Sequence, residues 1–261
     1  MLELHMAKGF ILDMDGTFFL GEQLLPGALE LLTLLNQRGL PFYFLTNNTS
    51  KGRGAYVKKL GALGVKTEDA RVFTAGDATI GFLRQNYPGK KVFLLGTESL
   101  AEDFRSAGII LEDKEPDLVV LGYDTSLTYS KLCAFCGFVR QGLPYLATHP
   151  DINCPTPNGL MPDIGAMMAL VQASTGRAAE MIFGKPDRNI IDQVAFRMGV
   201  AVDQLVMVGD RLYTDIALGK TAGVTTVLVL SGETKREQLA DSLYQPDYIC
   251  QDLSELARLL E

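Results

Sequence analysis

Histidine is nearly absent from this sequence: His5 and His149 are the only two in 261 residues, and tryptophan is missing altogether. Chemistry built on a histidine nucleophile or a histidine-rich metal cluster has little to draw on. Cysteine is sparse as well, at four residues, which excludes the disulfide framework of a small secreted domain and points to reduced thiols in the cytoplasm. No stretch approaches the roughly 18 uncharged apolar residues of a membrane span, and charged residues arrive too early for a signal peptide, so no membrane is expected as partner. Lysine and arginine form no block and the formal net charge is −7, which sets the overall field against nucleic acid. Low-complexity segments and fixed-period repeats are lacking, which removes solenoid architectures.

What is present is an alternation of short apolar runs and helical patterns, in a chain whose 47% hydrophobic content can fill one large core or two ordinary ones. Gly9-Phe10-Ile11-Leu12 runs into Asp13, and leucines at helical spacing (Leu29, Leu32, Leu35) follow between Pro26 and Arg38. Pro41 to Leu45 is a second run, stopping at Thr46-Asn47-Asn48, with a helical pattern from about Ser50 to Leu63 and a stop at Gly64. The middle repeats the rhythm with Lys91 to Leu95, Leu118 to Leu121 and Pro144 to Ala147. The tail resumes it: a helix over about 189–198, the strand Leu205 to Val208 ending at Gly209-Asp210, a helix from about Thr214, and a strand from Thr225 to Leu230. Such βα units build a parallel sheet, and the residues just after each strand collect along its carboxyl edge, where open α/β sheets bind ligands.

Those positions carry Asp13 and Asp15, Thr46 and Asn47, and Asp210, with Lys185 in a Gly184-Lys185-Pro186 turn. Three carboxylates brought together uncompensated would repel until one protonates, so their concentration calls for a cation. Magnesium suits a few carboxylate oxygens, retained waters and a substrate phosphate; calcium wants more protein oxygens. A calcium loop starting at Asp13 is excluded, because its sixth and twelfth positions are Phe18 and Leu24 where glycine and glutamate are required.

The segment Asp13-Met14-Asp15-Gly16-Thr17, the strand-terminal Thr46, Lys185, and Gly209-Asp210 through Asp215 stand in the order of the four signatures of the haloacid dehalogenase-like (HAD) phosphatases, which the chain resembles over essentially its whole length. The wording Gly209-Asp210-Arg211-Leu212-Tyr213-Thr214-Asp215-Ile216, Thr46-Asn47-Asn48 and Ala147-Thr148-His149-Pro150-Asp151 resembles the subgroup containing nucleotide and 4-nitrophenyl phosphatases. The resemblance implies an α/β fold, a Rossmann-like core with a parallel sheet plus an inserted α/β cap domain. It implies Mg²⁺-dependent hydrolysis of a small phosphomonoester (nucleotide, sugar phosphate, glycerol-type phosphate or 4-nitrophenyl phosphate) through an aspartyl-phosphate. Asp13 would be the nucleophile and Asp15 the general acid and base. Thr46, the amides of Asn47 and Asn48, and Lys185 would hold the phosphoryl oxygens. Asp13, Asp210 and the main-chain carbonyl of Asp15 would hold the metal, and Asp215 would support a metal-bound water or Lys185.

Asp13 to Thr46 spans 33 positions and Thr46 to Lys185 spans 139, so the cap is of the kind inserted between the second and third signatures. The expected boundaries are 1–77 and 182–261 for the core and 78–181 for the cap. Phe18 and Phe19 are expected in a flap that meets the cap, with core packing as the alternative. The proline- and glycine-rich loop from Asp151 through Asp163-Ile164-Gly165 resembles the cap segment that approaches the active site, although such loops also serve as connectors. Cys133 and Cys136 lie in a helical pattern without a second pair and read as buried and structural; a His149 and Cys154 ligand pair is disfavoured on the same grounds. Caps of this kind often pair, which makes a homodimer the family-level expectation. A phosphomutase, which shares all four signatures, remains the alternative; residue order decides against a phospho-accepting receiver module, whose acidic pair stands after the first strand and phosphoacceptor after a later one, and which has no hundred-residue insertion.

Overall fold

The computed structural model describes residues 3–156 and 159–261, which divide into two compact units: residues 1–46, 57–73 and 185–261, and residues 47–56 and 74–184. In the first unit six strands form a sheet in the order Tyr248–Cys250, Thr225–Val229, Leu205–Gly209, Gly9–Asp13, Phe42–Thr46, Val72–Thr74. The first five of these pair in parallel. The Gly9–Asp13 strand sits inside the sheet and is buried along its whole length, the mark of a strand covered on both faces. Phe10, Ile11 and Leu12 are fully buried, each contributing about 1.5–3 kcal/mol of apolar burial.

Register places the strand ends side by side. Asp13 pairs with Leu45, one residue before Thr46, and Leu12 pairs with Val208, two residues before Asp210. Because all three strands run the same way, their polar successors emerge at one edge. The helix Ala28–Gln37 buries Ala28, Leu31, Leu32 and Leu35; Leu29 is 39% exposed, so the inward stripe is one residue out of phase with the leucine spacing at that point. The closing helix Leu253–Leu260 is capped by Asp252, whose carboxylate accepts from the Ser254 and Glu255 amides, and it buries Leu253, Leu256, Ala257 and Leu260.

The second unit has its own five-stranded parallel sheet, ordered Met181–Ile182, Tyr145–Ala147, Leu118–Leu121, Lys91–Leu95, Ile110–Leu111. Its core gathers Phe93, Leu95, Val119, Leu121, Phe135, Val139, Tyr145 and Ile164, with Phe135 edge-on to Tyr145 at 5.2 Å. An antiparallel hairpin pairs Asn153–Thr156 with Gly159–Pro162; Pro157 and Asn158, in the loop expected near the active site, lie outside the described residues.

The compact units divide at 46/47, 56/57, 73/74 and 184/185, whereas the sequence suggested boundaries at 77/78 and 181/182. Residues 47–53 are tied by side chains far away in sequence. Thr49 Oγ1 lies 3.0 Å from Thr148 Oγ1 and accepts from the Tyr123 amide at 3.0 Å. The Gly52 amide donates to Ser99 Oγ and the Arg53 amide to Asp103 Oδ2, each at 2.8 Å. The aromatic pair after the acidic motif is a correction: Phe18 and Phe19 are both fully buried. Phe18 packs edge-on to Phe44 at 4.8 Å, while Phe19 lies beneath the Lys59 ammonium at 3.8 Å and opens a small antiparallel ribbon with Gln23–Leu24. Their apolar area is worth more in the core than on a flap. A second correction concerns the cysteines of the helix Tyr129–Arg140, of which Cys136 is buried and Cys133 exposed. Among the described residues no helix is long and apolar enough to cross a membrane.

Candidate active site

The site in the first unit is built on the end of Gly9–Asp13. After Asp13 the chain turns back sharply, with the Phe18 amide donating to the Met14 carbonyl at 2.9 Å and the Gly16 amide to the Phe19 carbonyl at 2.9 Å. The partly buried Asp15 forms an isolated bridge with Phe19. Gly16 sits at φ +92°, and a Cβ there would run into the Asp210 carboxylate. Only glycine meets both demands without strain. Gly16→Ala is expected to cost about 1–2 kcal/mol in backbone conformation, and further through displacement of Asp210. A lowered midpoint of thermal unfolding together with weakened divalent-cation binding would reveal it.

Asp13, Asp210 and Asp215 are all buried, and each contributes a carboxylate oxygen to a cluster whose atoms lie within 4.8 Å of one another. Two like charges at such a separation repel by about 3 kcal/mol at an effective dielectric constant of ~20. Lys185 offsets part of this repulsion. Its ammonium, 4% exposed, donates to Asp13 Oδ1 and, at 2.7 Å, to Asp215 Oδ1. Burial alone would lower the Lys185 pKa, but the Asp13 and Asp215 carboxylates outweigh it and hold the ammonium well above its ordinary range.

Asp210 is fixed from several sides: Oδ2 accepts from the Glu233 amide at 2.7 Å and Oδ1 from Thr17 Oγ1 at 3.4 Å. Even so, burial and then the Asp13 and Asp215 charges push its pKa up to about 8. Asp215 rises to about 6, chiefly through burial, with Lys185 pulling the other way. Asp215 lies in the turn Leu212–Ile216, where its Oδ2 also accepts from the Arg211 amide at 3.1 Å. Acids held this far toward their neutral forms mark a site short of positive charge, and an all-oxygen donor set of this kind fits a hard divalent cation.

Sequence reasoning missed three contributors. Arg211 pairs through Nε with Glu233 Oε2 at 2.9 Å, and Ser231 Oγ donates to the Gly16 carbonyl at 3.0 Å. Gly232 lies against Asp210, where a Cβ would collide with the carboxylate. Ser231, Gly232 and Glu233 follow the strand Thr225–Val229 closely, so the rule that singled out Thr46 would also have found them.

Thr46, buried, ends its strand in the first unit. Asn47 and Asn48 follow it directly but group with the second unit. There Asn47 Nδ2 donates to Asp151 Oδ1 at 3.0 Å and Asn48 Nδ2 to Cys154 Sγ at 3.7 Å. A separate cluster in that unit joins His149, Asp151 and Asp163.

The Haloacid dehalogenase-like hydrolase family profile matches residues 10–110, and a second HAD-hydrolase-like profile matches residues 182–256. A 5'-nucleotidase of Bacillus subtilis, YutF, is 34% identical over 248 residues, covering 95% of this chain and 96% of its own. This chain belongs to the haloacid dehalogenase-like hydrolases. The fold agrees with that membership: the crystal structure of a 4-nitrophenylphosphatase from Thermotoga maritima superposes with a TM-score of 0.97 at 44% identity, covering 100% of both chains. A glycerol phosphate phosphatase from Mycobacterium tuberculosis, solved in complex with magnesium, superposes at 0.87 with 30% identity, covering 97% of this chain and 77% of that one. The HAD relatives are phosphatases, and the chain is a phosphoric monoester hydrolase.

Proposed function

We propose that this HAD phosphatase hydrolyses a small phosphomonoester in the cytoplasm with Mg²⁺, by way of a phosphoryl group carried on Asp13. The observation that carries the reading is the Lys185 ammonium held between Asp13 and Asp215, with Asp210 in the same cluster of carboxylates. Asp13, Asp210 and the main-chain carbonyl of Asp15 would hold the Mg²⁺, which when bound supplies the positive charge that lets a carboxylate and a phosphate approach each other.

The remaining chemistry falls to side chains and amides of the chain itself. Asp13 Oδ attacks phosphorus as the bond from phosphorus to the leaving oxygen breaks, and Asp15 delivers a proton to that oxygen. Thr46 Oγ1, the Asn47 and Asn48 amides and the Lys185 ammonium donate to the three phosphoryl oxygens, whose charge grows in the transition state. Asp15, now a carboxylate, takes a proton from the water that attacks phosphorus. The bond to Asp13 breaks, and inorganic phosphate leaves.

The relatives' names cover a nucleotide, a nitrophenyl ester and glycerol phosphate, and small phosphomonoesters of that range are the proposed substrates. The inserted segment between Thr46 and Lys185, acting as a cap, would choose among them. Phosphate release from a panel of such esters, with Mg²⁺ and with chelator, tests the proposal. No release from any member would contradict it, as would release that chelator leaves unchanged.

A pH dependence follows from the crowded acids. Asp210 and Asp215 have folded pKa values near 8 and 6, above the roughly 3.9 of an unfolded aspartate. Between about pH 4 and 8 the folded metal-free protein therefore binds more protons than the unfolded chain, and this contribution to stability falls as pH rises. A cation displaces those protons, so its affinity increases with pH. The upward shift in unfolding midpoint on adding Mg²⁺ is expected to be larger at pH 8 than at pH 5.5. An equal shift at both values would contradict the assignment.

A further inference from the structure

The side chain of Asn47 is tied at one end and closely packed at the other within the second unit. Its Nδ2 donates to Asp151 Oδ1 at 3.0 Å. Its Oδ1 faces Gly184, where an added Cβ would come within 2.7 Å of that oxygen and 2.8 Å of His149 Cβ. Gly184 adopts φ +76° and immediately precedes Lys185, so the amide side chain that follows Thr46 packs against the residue before Lys185. Asp151 stands beside a buried ring: its other oxygen lies 3.8 Å from Nδ1 of the fully buried His149. His149 Nε2 lies 3.6 Å from Asp163 Oδ1, which accepts from the Ile164 amide at 2.7 Å and so caps the helix Ile164–Thr175. The His149 ring thus lies between two carboxylates, one the cap of a helix and the other the acceptor for Asn47. The backbone locks the same junction, with the Gly165 amide donating to the Asp151 carbonyl at 2.7 Å. A Cβ on Gly165 would fall 2.6 Å from the Pro150 carbonyl oxygen.

We infer that Asp151, its backbone fixed by the Gly165 amide, is a positioning residue for the phosphatase reaction: it holds the Asn47 side chain as a strut, so that the Asn47 backbone N–H is fixed to meet a phosphoryl oxygen. The inference rests on the proposal that this amide binds phosphate. An Asn47 engaged by Asp151 serves through its main chain, and Asn47→Ala, which keeps the N–H, therefore isolates the strut. Misplacing a donor by a fraction of an ångström is costly where the transition state is bound through directed hydrogen bonds.

The test is a double-mutant cycle on the full chain with 4-nitrophenyl phosphate as substrate and inorganic phosphate as competitive inhibitor. Asn47→Ala and Asp151→Ala are each expected to lower kcat/KM and weaken phosphate inhibition by about 10- to 100-fold, with the unfolding midpoint little changed. The double variant should lose no more than the worse single, because both changes remove one contact. Asp151→Asn, whose amide oxygen can accept from Asn47 Nδ2, should return to within about fivefold of the parent. Losses that multiply in the double variant would overturn the inference, as would unchanged phosphate inhibition in Asn47→Ala, a result that stands even if Asp151→Ala does not fold. A parent enzyme that turns over and loses activity in Asp13→Asn, beside intact Asn47 and Asp151 variants, would sink the strut alone and leave the phosphatase chemistry standing.

Discussion

Asp13→Asn is expected to lower kcat by about four orders of magnitude or more, since the amide retains the shape of the side chain but cannot form the bond to phosphorus. The effect on stability should be small by comparison. Asp13 lies among Asp210 and Asp215 and raises the pKa of both, so removing its charge relieves repulsion even as Lys185 loses one of its two partners. Lys185 still holds Asp215 at 2.7 Å. Stopped-flow or steady-state assays of the variant, beside its thermal midpoint, separate the two effects. A folded variant retaining a tenth of parental turnover would remove Asp13 from the role of nucleophile.

Lys185 gives the second large effect, and here stability and activity fall together. Replacing it by methionine keeps most of the buried volume but leaves Asp13 and Asp215 facing each other without a cation between them. Breaking a buried ion pair from one side costs about 3–5 kcal/mol, and losing a donor to the transition state costs about 10²–10³ in kcat. Lys185 now lowers the pKa of Asp215, against the effect of burial; without it that acid climbs, and the metal-free variant should lose stability more steeply as pH rises. Urea unfolding at pH 5.5 and pH 8 measures this directly. A Lys185→Met protein with parental stability at both values and parental kcat would show that the ammonium is an incidental neighbour.

Much of this was legible in the sequence because a parallel sheet converts local patterns into a shared edge. Apolar runs ending at Asp13, Thr46 and Gly209 are each readable alone; the register that sets Asp13 beside Leu45 is supplied by the structure. What was not legible depends on contacts between distant residues. The grip of Ser99, Asp103 and Thr148 on residues 49–53 assigns that stretch to the second unit, and no local pattern announces it. Phe18 looked like a flap residue because it follows the acidic motif; its burial against Phe44 depends on the tight turn at Gly16. The loop holding Asp210 is a different case: its position just after Thr225–Val229 was readable, but the donor it supplies is the Glu233 backbone amide, which side-chain identity does not reveal.

The central claim is that phosphate passes through Asp13. With 4-nitrophenyl phosphate the leaving phenolate needs little help from a proton, so Asp15→Asn should permit the first transfer and slow the second, allowing the intermediate to accumulate. Acid quenching of that variant shortly after mixing, followed by peptide mapping by mass spectrometry, should find a phosphoryl group on the peptide containing Asp13, released by hydroxylamine and absent when Asp13 is also replaced by asparagine. Phosphorylation at another residue, or release of nitrophenol with no protein-bound phosphate at any time, would contradict it.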